Sequence, residues 1–205
     1  ALKTLPVVRK LLFEGRYSEA EELAEKGIMG SKPRNRPSSY QTLGDIIIHS
    51  PHRGNVTGYR RELDIENAVA RVSYKTGDIT YQREIFSSAP GQAIVIRISV
   101  SQPGAVTFKT CLSREGNNAS INASVNEIIM REHTGGGIGV RLTARLRVEN
   151  EGGMLTQKGD TLVVEKADAV TLLLTAATDY RGSDPDELTL TRMNTAGRKA
   201  YNELL

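Results

Sequence analysis

Between Ser39 and His49, in the stretch Ser39-Tyr40-Gln41-Thr42-Leu43-Gly44-Asp45-Ile46-Ile47-Ile48-His49, the spacing of apolar residues changes from helical to alternating. That change limits the fold more than any other feature, because a pattern of period 3.6 and a pattern of period two bury different faces. Before it, Leu5, Val8, Leu11 and Leu12 recur at helical spacing over Thr4–Glu14, with Pro6 in the first turn, where its absent N–H costs nothing. Gly15 ends that segment, and Ser18 with Glu21 three residues on predicts a capping box for a second helix. Ala20, Leu23 and Ala24 form its apolar side and Gly27 its stop. The pair reads as a helical hairpin over residues 4–26 with one apolar stripe to cover, and a partner-binding amphipathic pair is the alternative.

From Leu43 onward the chain reads as strand after strand. Expected strands are Leu43–His49, Asn55–Leu63, Ala68–Tyr74, Ile79–Phe86, Ile94–Val100, Val106–Leu112, Glu127–Glu132, Val140–Val148, Met154–Gln157, Thr161–Glu165 and Val170–Ala177. Turn chemistry punctuates them at Thr76-Gly77-Asp78, Pro103-Gly104 and Lys158-Gly159-Asp160. Arg114–Ser124 is polar and Asn-rich, a loop or weak edge strand, and Thr134–Gly139 is a flexible Gly-rich linker. No Lys-Ser/Thr pair follows that Gly run, so it does not read as a phosphate loop. Leu188, Met193, Ala196, Ala200 and Leu204 predict one closing helix that runs past Leu205.

Strands at short, regular spacing with helices only at the ends exclude an alternating α/β protein. They predict a mainly β fold, a sandwich of two large antiparallel sheets. The expected division is 1–187 for the sandwich domain, with strands from about 43 to 178, and 188–205 for the start of a helical linker. A start at Ala1 without Met, and a helical pattern still running at Leu205, lead us to expect a piece of a longer protein.

Composition narrows the chemistry. A net charge of +3 with Lys, Arg, Asp and Glu interleaved gives a mixed solvated surface, not a nucleic-acid footprint. No apolar run is long enough for a membrane span. One cysteine excludes an internal disulfide, and Cys111 reads as a buried thiol. His49 and His52 fall short of the three or four ligands zinc needs. No Gly-x-Ser-x-Gly elbow is present, and no pair of carboxylates stands out for glycoside hydrolysis. Arg141, Thr143, Arg145 and Arg147 alternate with Val140, Leu142, Ala144, Leu146 and Val148; a solvated sheet face accounts for the arginines without a ligand. An autonomous carbohydrate-binding module would want exposed aromatic faces, but the chain has no Trp and 5% aromatics.

Residues 1–24, ALKTLPVVRKLLFEGRYSEAEELA, then SYQTLGDIII, YRRELDIENAVARVSY, YQREIFSSAPGQAIVIRI, DAVTLLLTAATDY and RKAYNELL resemble, in order and spacing, the N-terminal domain of glycoside hydrolase family 95, the α-L-fucosidase family. Thr42 stands where that family often has Pro. The resemblance covers essentially the whole chain. It implies an N-terminal β-supersandwich that leads through a helical linker to an (α/α)6 catalytic barrel. It further implies inverting hydrolysis of terminal α-L-fucosides, or of α-L-galactosides in some relatives, with both catalytic groups in the barrel. On that basis the chain is expected to be non-catalytic and inactive alone, a scaffold and partial wall of the substrate pocket. A purely structural interdomain role is the other alternative. Tyr40, Gln41 and Asp45, polar groups at a loop-to-strand junction, are the expected substrate-binding residues. The implied partners are the barrel of the same parent chain and a fucosylated glycan, with no cofactor, no metal, no nucleic acid and no membrane.

Overall fold

A computed structural model describes residues 2–28, 41–51, 54–116 and 118–205. The chain divides into two compact units, 1–41 and 42–205.

The first unit is a pair of helices, α1 (Leu5–Phe13) and α2 (Tyr17–Gly27). Pro6 occupies the first turn of α1, and Gly15 at φ +73° makes the turn between them. Val8 and Ala20 are buried, whereas Leu5 and Leu12 are nearly half exposed. The expected capping box is absent. Helix α2 starts one residue earlier than Ser18, behind Arg16, whose guanidinium donates to both carboxylate oxygens of Glu19 at 2.8 and 2.5 Å and to Glu14 at 3.2 Å. A charged fork across the first turn replaces the hydroxyl cap.

The second unit is all antiparallel. Its strands are β1 (Asp45–His49), β2 (Val56–Asp64), β3 (Val69–Thr76), β4 (Ile79–Ser88), β5 (Ala93–Val100), β6 (Val106–Ser113), β7 (Ser120–Ser124), β8 (Glu127–His133), β9 (Arg141–Glu151), β10 (Met154–Lys158), β11 (Thr161–Ala167) and β12 (Ala169–Thr178). They form a four-stranded sheet, β1-β6-β11-β10, and an eight-stranded sheet, β2-β3-β4-β5-β12-β9-β8-β7. The expected sandwich is therefore present, and the Asn-rich segment after Arg114 supplies β7 on the sheet edge.

The main core lies between the sheets. Ile96, Ile98, Ile128, Leu146, Val148, Val170 and Leu172 from the larger sheet meet Val106, Phe108, Leu112, Leu162 and Val164 from the smaller. Side chains this size stabilise by about 1.5–3 kcal/mol each when fully buried.

A second core lies on the other face of the larger sheet. Val69, Phe86, Ala93, Val95 and Leu173 pack there with Met193, Ala196 and Leu204. Those last three belong to α4 (Pro185–Ala196) and α5 (Tyr201–Leu204). The closing segment is thus two helical pieces rather than one. Asp184 caps α4, accepting from the Asp186 and Glu187 N–H groups at 2.8 and 3.2 Å, which moves its start three residues ahead of Leu188. It ends at Gly197, where a Cβ would lie 2.6 Å from the Arg147 guanidinium, and Ala200 is extended at ψ 155°.

The Gly-rich segment after β8 is one short turn, α3 (Thr134–Gly137), with Gly135 and Gly136 at φ +62° and +68°. Thr134 closes it: its Oγ1 accepts from the Val140 N–H at 3.0 Å, so this connection is pinned rather than loose. Cys111 is half-buried, not buried. It sits opposite Ile47, on the outer face of the smaller sheet, because the inner positions of β6 go to Thr110 and Leu112.

Candidate functional site

Of the three expected substrate-binding residues, Tyr40 lies outside the described residues. Gln41 is exposed and closes the first unit. Asp45 is exposed at the start of β1, opposite Ser113 of β6. The surroundings of Asp45 are built by residues that sequence reading did not single out.

Gly44 sets the backbone ahead of Asp45. Its φ is +143°, and a Cβ there would stand 2.5 Å from the Ser113 carbonyl, so only glycine fits the approach to β6. Beneath it lies Arg114. Its side chain is 5% exposed, and it donates to the backbone carbonyls of Thr42 and Leu43, the latter at 2.9 Å, and to Glu132 at 2.5 Å. Glu132 on β8 is itself only 9% exposed at the side chain. One buried guanidinium therefore ties the lead-in of β1 to the larger sheet. A buried charge is tolerated only when it is paired and hydrogen-bonded, and this one is both.

Leu43 also lines an open hollow of about 400 Å3 with Ser87, Gln92, Ile94, Leu174 and Ala176. Its rim is the turn Ala89-Pro90-Gly91-Gln92 between β4 and β5. Gln92 takes φ +49° and donates its side-chain amide to the Ala89 carbonyl at 2.9 Å, while Ser88 accepts from the Gly91 N–H at 3.1 Å. Ser87 and Gln92 are exposed, so the hollow offers a hydroxyl and an amide above an aliphatic floor. The Ala-Pro-Gly break was the only trace of this rim in the sequence.

Of the arginine row on β9 only Arg141 is exposed; the rest is covered, contrary to the expectation from alternation. Thr143 and Arg145 are 1% and 6% exposed. Helix α4 covers that face, and its acids and those of the strands neutralise the cations. Glu127 receives Arg145 and Arg147, each at 2.7 Å; Arg141 donates to Asp179 at 2.9 Å; Arg131 on β8 donates to both oxygens of Asp186 at 2.7 and 2.8 Å. The hydrogen bond from Arg131 holds the Asp186 carboxyl below the usual aspartate range, and Arg141 does the same for Asp179. Arg131 and Arg147 reach the closing helix, at Asp186 and at Asn194, while Arg145 and Arg141 are held by Glu127 and Asp179 beside it.

A third network holds α5. The Tyr201 hydroxyl donates to Glu84 at 2.9 Å, Glu84 also receives Arg71 at 2.9 Å, and Arg97 lies 5.2 Å from the centre of the Tyr201 ring. Burial, with the bond to Glu84, pushes the Tyr201 phenol up to about 12. Among the described residues no three His, Cys, Asp or Glu side chains gather as a metal ion would require, and no helix is long and apolar enough to cross a membrane.

An antiparallel sandwich closed by C-terminal helical segments, with a polar junction at its first strand, defines a β-sandwich domain. Residues 1–183 match the family model described as glycosyl hydrolase family 65, N-terminal domain, and the chain belongs to that family. It is 31% identical over 241 residues to alpha-L-fucosidase 2 of Arabidopsis thaliana, an alignment that takes in 100% of this chain and 28% of that protein. It is 27% identical over 220 residues to probable alpha-fucosidase A of Aspergillus niger, covering 98% of this chain and 27% of the relative. The chain thus spans little more than a quarter of the length of these relatives. A putative kojibiose phosphorylase from human microbiome shares the fold, with TM-score 0.55 and 14% identity over 78% of this chain and 26% of that one. The resemblance to fucosidases is borne out by the whole-chain match to two proteins of that name.

Proposed function

We propose that this chain is the non-catalytic N-terminal sandwich domain of a glycoside hydrolase that removes terminal α-L-fucose with inversion. In that reading it scaffolds an (α/α)6 catalytic barrel of the same polypeptide and supplies part of the substrate-pocket wall. The observation that carries the reading is the match of the entire chain to two fucosidases of which it spans only about a quarter. The geometry supports the wall role. An inverting site must fix one water opposite the leaving group, which calls for a pocket closed on several sides by rigid groups. Asp45 follows a backbone clamped by Gly44 and Arg114, so its carboxylate is presented from a fixed strand end, and Gln41 lies four residues before it in sequence. Ser87 and Gln92 add hydrogen-bonding groups at the hollow lined by Leu43.

The test is kinetic. In the parent enzyme, Asp45→Ala and Gln41→Ala are expected to lower kcat/KM for an α-L-fucoside at least tenfold, about 1.4 kcal/mol of transition-state stabilisation, with unchanged melting temperature. Unchanged kinetics in both variants would leave only a structural role for the junction. Saturable glycan binding by residues 1–205 alone would instead favour an autonomous carbohydrate-binding module.

A further inference from the structure

The turn Ala89-Pro90-Gly91-Gln92 has two sides, because side chains alternate across the sheet on the strands it joins. Ser87, Gln92 and Ile94 line the hollow beside Leu43. Phe86, Ala93 and Val95 belong to the second core, where Leu204 of α5 packs. Ala93 is shared, since it also lines the hollow. The hollow and the seat of the closing helix are therefore opposite sides of one turn.

Leu204 is 2% exposed and sits directly on this turn. A Cβ on Gly91 would stand 2.7 Å from Leu204 Cδ2 and 3.0 Å from Ser88 Oγ. Gly91 does not take a positive φ, so space rather than backbone conformation demands glycine there. A helix as short as α5, four residues, does not hold itself together. Tyr201 holds it: its hydroxyl donates to Glu84 at 2.9 Å, its ring meets Phe86 edge-on at 5.6 Å, and Arg97 lies 5.2 Å from the ring centre.

On the hollow side, Gln92 keeps a backbone conformation that residues with a side chain rarely adopt, φ +49°. Such a conformation persists only where the surroundings over-determine it. Here the Gly91 N–H donates to Ser88 Oγ at 3.1 Å and the Gln92 N–H to the Ala89 carbonyl at 3.3 Å, while Leu204 presses from behind. Gln92 Nε2 also donates to the Ala89 carbonyl, at 2.9 Å, which fixes the way the amide faces. Its Oε1 is left as a hydrogen-bond acceptor at the rim of the hollow.

We propose that Leu204 is a positioning residue for the hollow: seated on Gly91 and held in place through Tyr201, it sets the turn that presents Gln92 Oε1 to a sugar hydroxyl. Leu204 does not itself line the hollow, so it acts through the turn. Helix α5 and the rim then form one body, and a displacement of α5 displaces the Gln92 acceptor. The inference rests on the reading of the hollow as part of the substrate-pocket wall. It adds that this wall is set from behind by the closing helix.

Hydrogen exchange and kinetics of the parent polypeptide test this. Leu204→Ala is expected to speed amide exchange at residues 91 and 92 by about tenfold or more. It is also expected to raise KM for an α-L-fucosyl oligosaccharide by about threefold or more at nearly constant kcat, as loss of ground-state positioning does. Leu204→Met refills the seat and is expected to restore both readouts. Gly91→Ala crowds the seat without emptying the core, and is expected to show the same faster exchange and the same rise in KM. Gln92→Ala is expected to raise KM too, and the addition of Leu204→Ala or Gly91→Ala to it to raise KM no further. Unaltered exchange at residues 91 and 92 in Leu204→Ala and Gly91→Ala would overturn the link between helix and rim. An unchanged KM in Gly91→Ala or in Gln92→Ala, or full additivity in the double variants, would overturn the positioning role. The wall reading is decided separately, by Asp45→Ala and Gln41→Ala.

Discussion

The guanidinium of Arg114 meets the carboxylate of Glu132 at 2.5 Å beneath the start of the first strand, with both side chains less than a tenth exposed. The same arginine holds the Thr42 and Leu43 carbonyls. The pair converts a loop into a fixed lead-in, and through it the larger sheet governs where Asp45 stands.

Removing one partner of that pair strands a buried charge. Arg114→Ala or Glu132→Ala is expected to destabilise by about 3–5 kcal/mol, read as a lower urea midpoint. Arg114→Met combined with Glu132→Leu is expected to recover much of the loss, since no unpaired charge remains. Near-wild-type stability in either single variant would mean that the pair is not desolvated as described.

Gly44→Ala tests the backbone separately from charge. The new methyl would meet the Ser113 carbonyl at 2.5 Å at a φ of +143°. Expected is a loss of about 2 kcal/mol or more, with parent fucoside kinetics impaired beyond the fall in stability. A neutral melting curve would contradict the crowding.

Glu127 joins two cations, one of them the 6% exposed Arg145. Glu127→Ala is expected to cost about 3–5 kcal/mol and to free α4, detected as faster hydrogen exchange over Pro185–Ala196. Unaltered protection of that helix would show that the arginine row is not what fastens it.

Two pH limits follow from the same packing. The folded carboxyls of Asp186 and Asp179 lie below the usual aspartate value of 3.8, so their contribution is complete above that pH and is lost as pH falls beneath it. The Tyr201 phenol is raised from 10.0 to about 12, so its contribution is complete below pH 10 and is lost as pH rises toward 12. Melting temperatures across both ranges check the signs. Tyr201→Phe is expected to shrink the alkaline limb and leave the acid limb unchanged, with Tyr81, whose phenol burial also raises, supplying the remainder.

Much of the fold was legible because glycine turns and period-two runs are local signals. Lys158-Gly159-Asp160 between two short runs gave the β10–β11 hairpin to within two residues. The arginine row was misread because alternation tells which side chains share a face, not what covers that face. Helix α4, with Thr, Arg and Asn along much of its length, gave no apolar pattern strong enough to announce that it packs there. The clamp at Asp45 was illegible for another reason: Arg114 lies about seventy residues away in sequence and is brought in by the β1–β6 register. Asp45 and Gln41 themselves came from family resemblance and from their place at a loop-to-strand junction. Ser87 and Gln92 needed the β4–β5–β12 pairing before they could be placed beside Leu43.

The most direct measurement compares release of L-fucose from a terminal α-L-fucoside by the parent polypeptide and by residues 1–205 alone. Expected is turnover by the parent with inversion at the anomeric carbon, and none by residues 1–205. Fucose release by residues 1–205, or a parent inert toward every α-L-fucoside and α-L-galactoside tried, would contradict the assignment of this sandwich as the non-catalytic part of a fucosidase-like hydrolase.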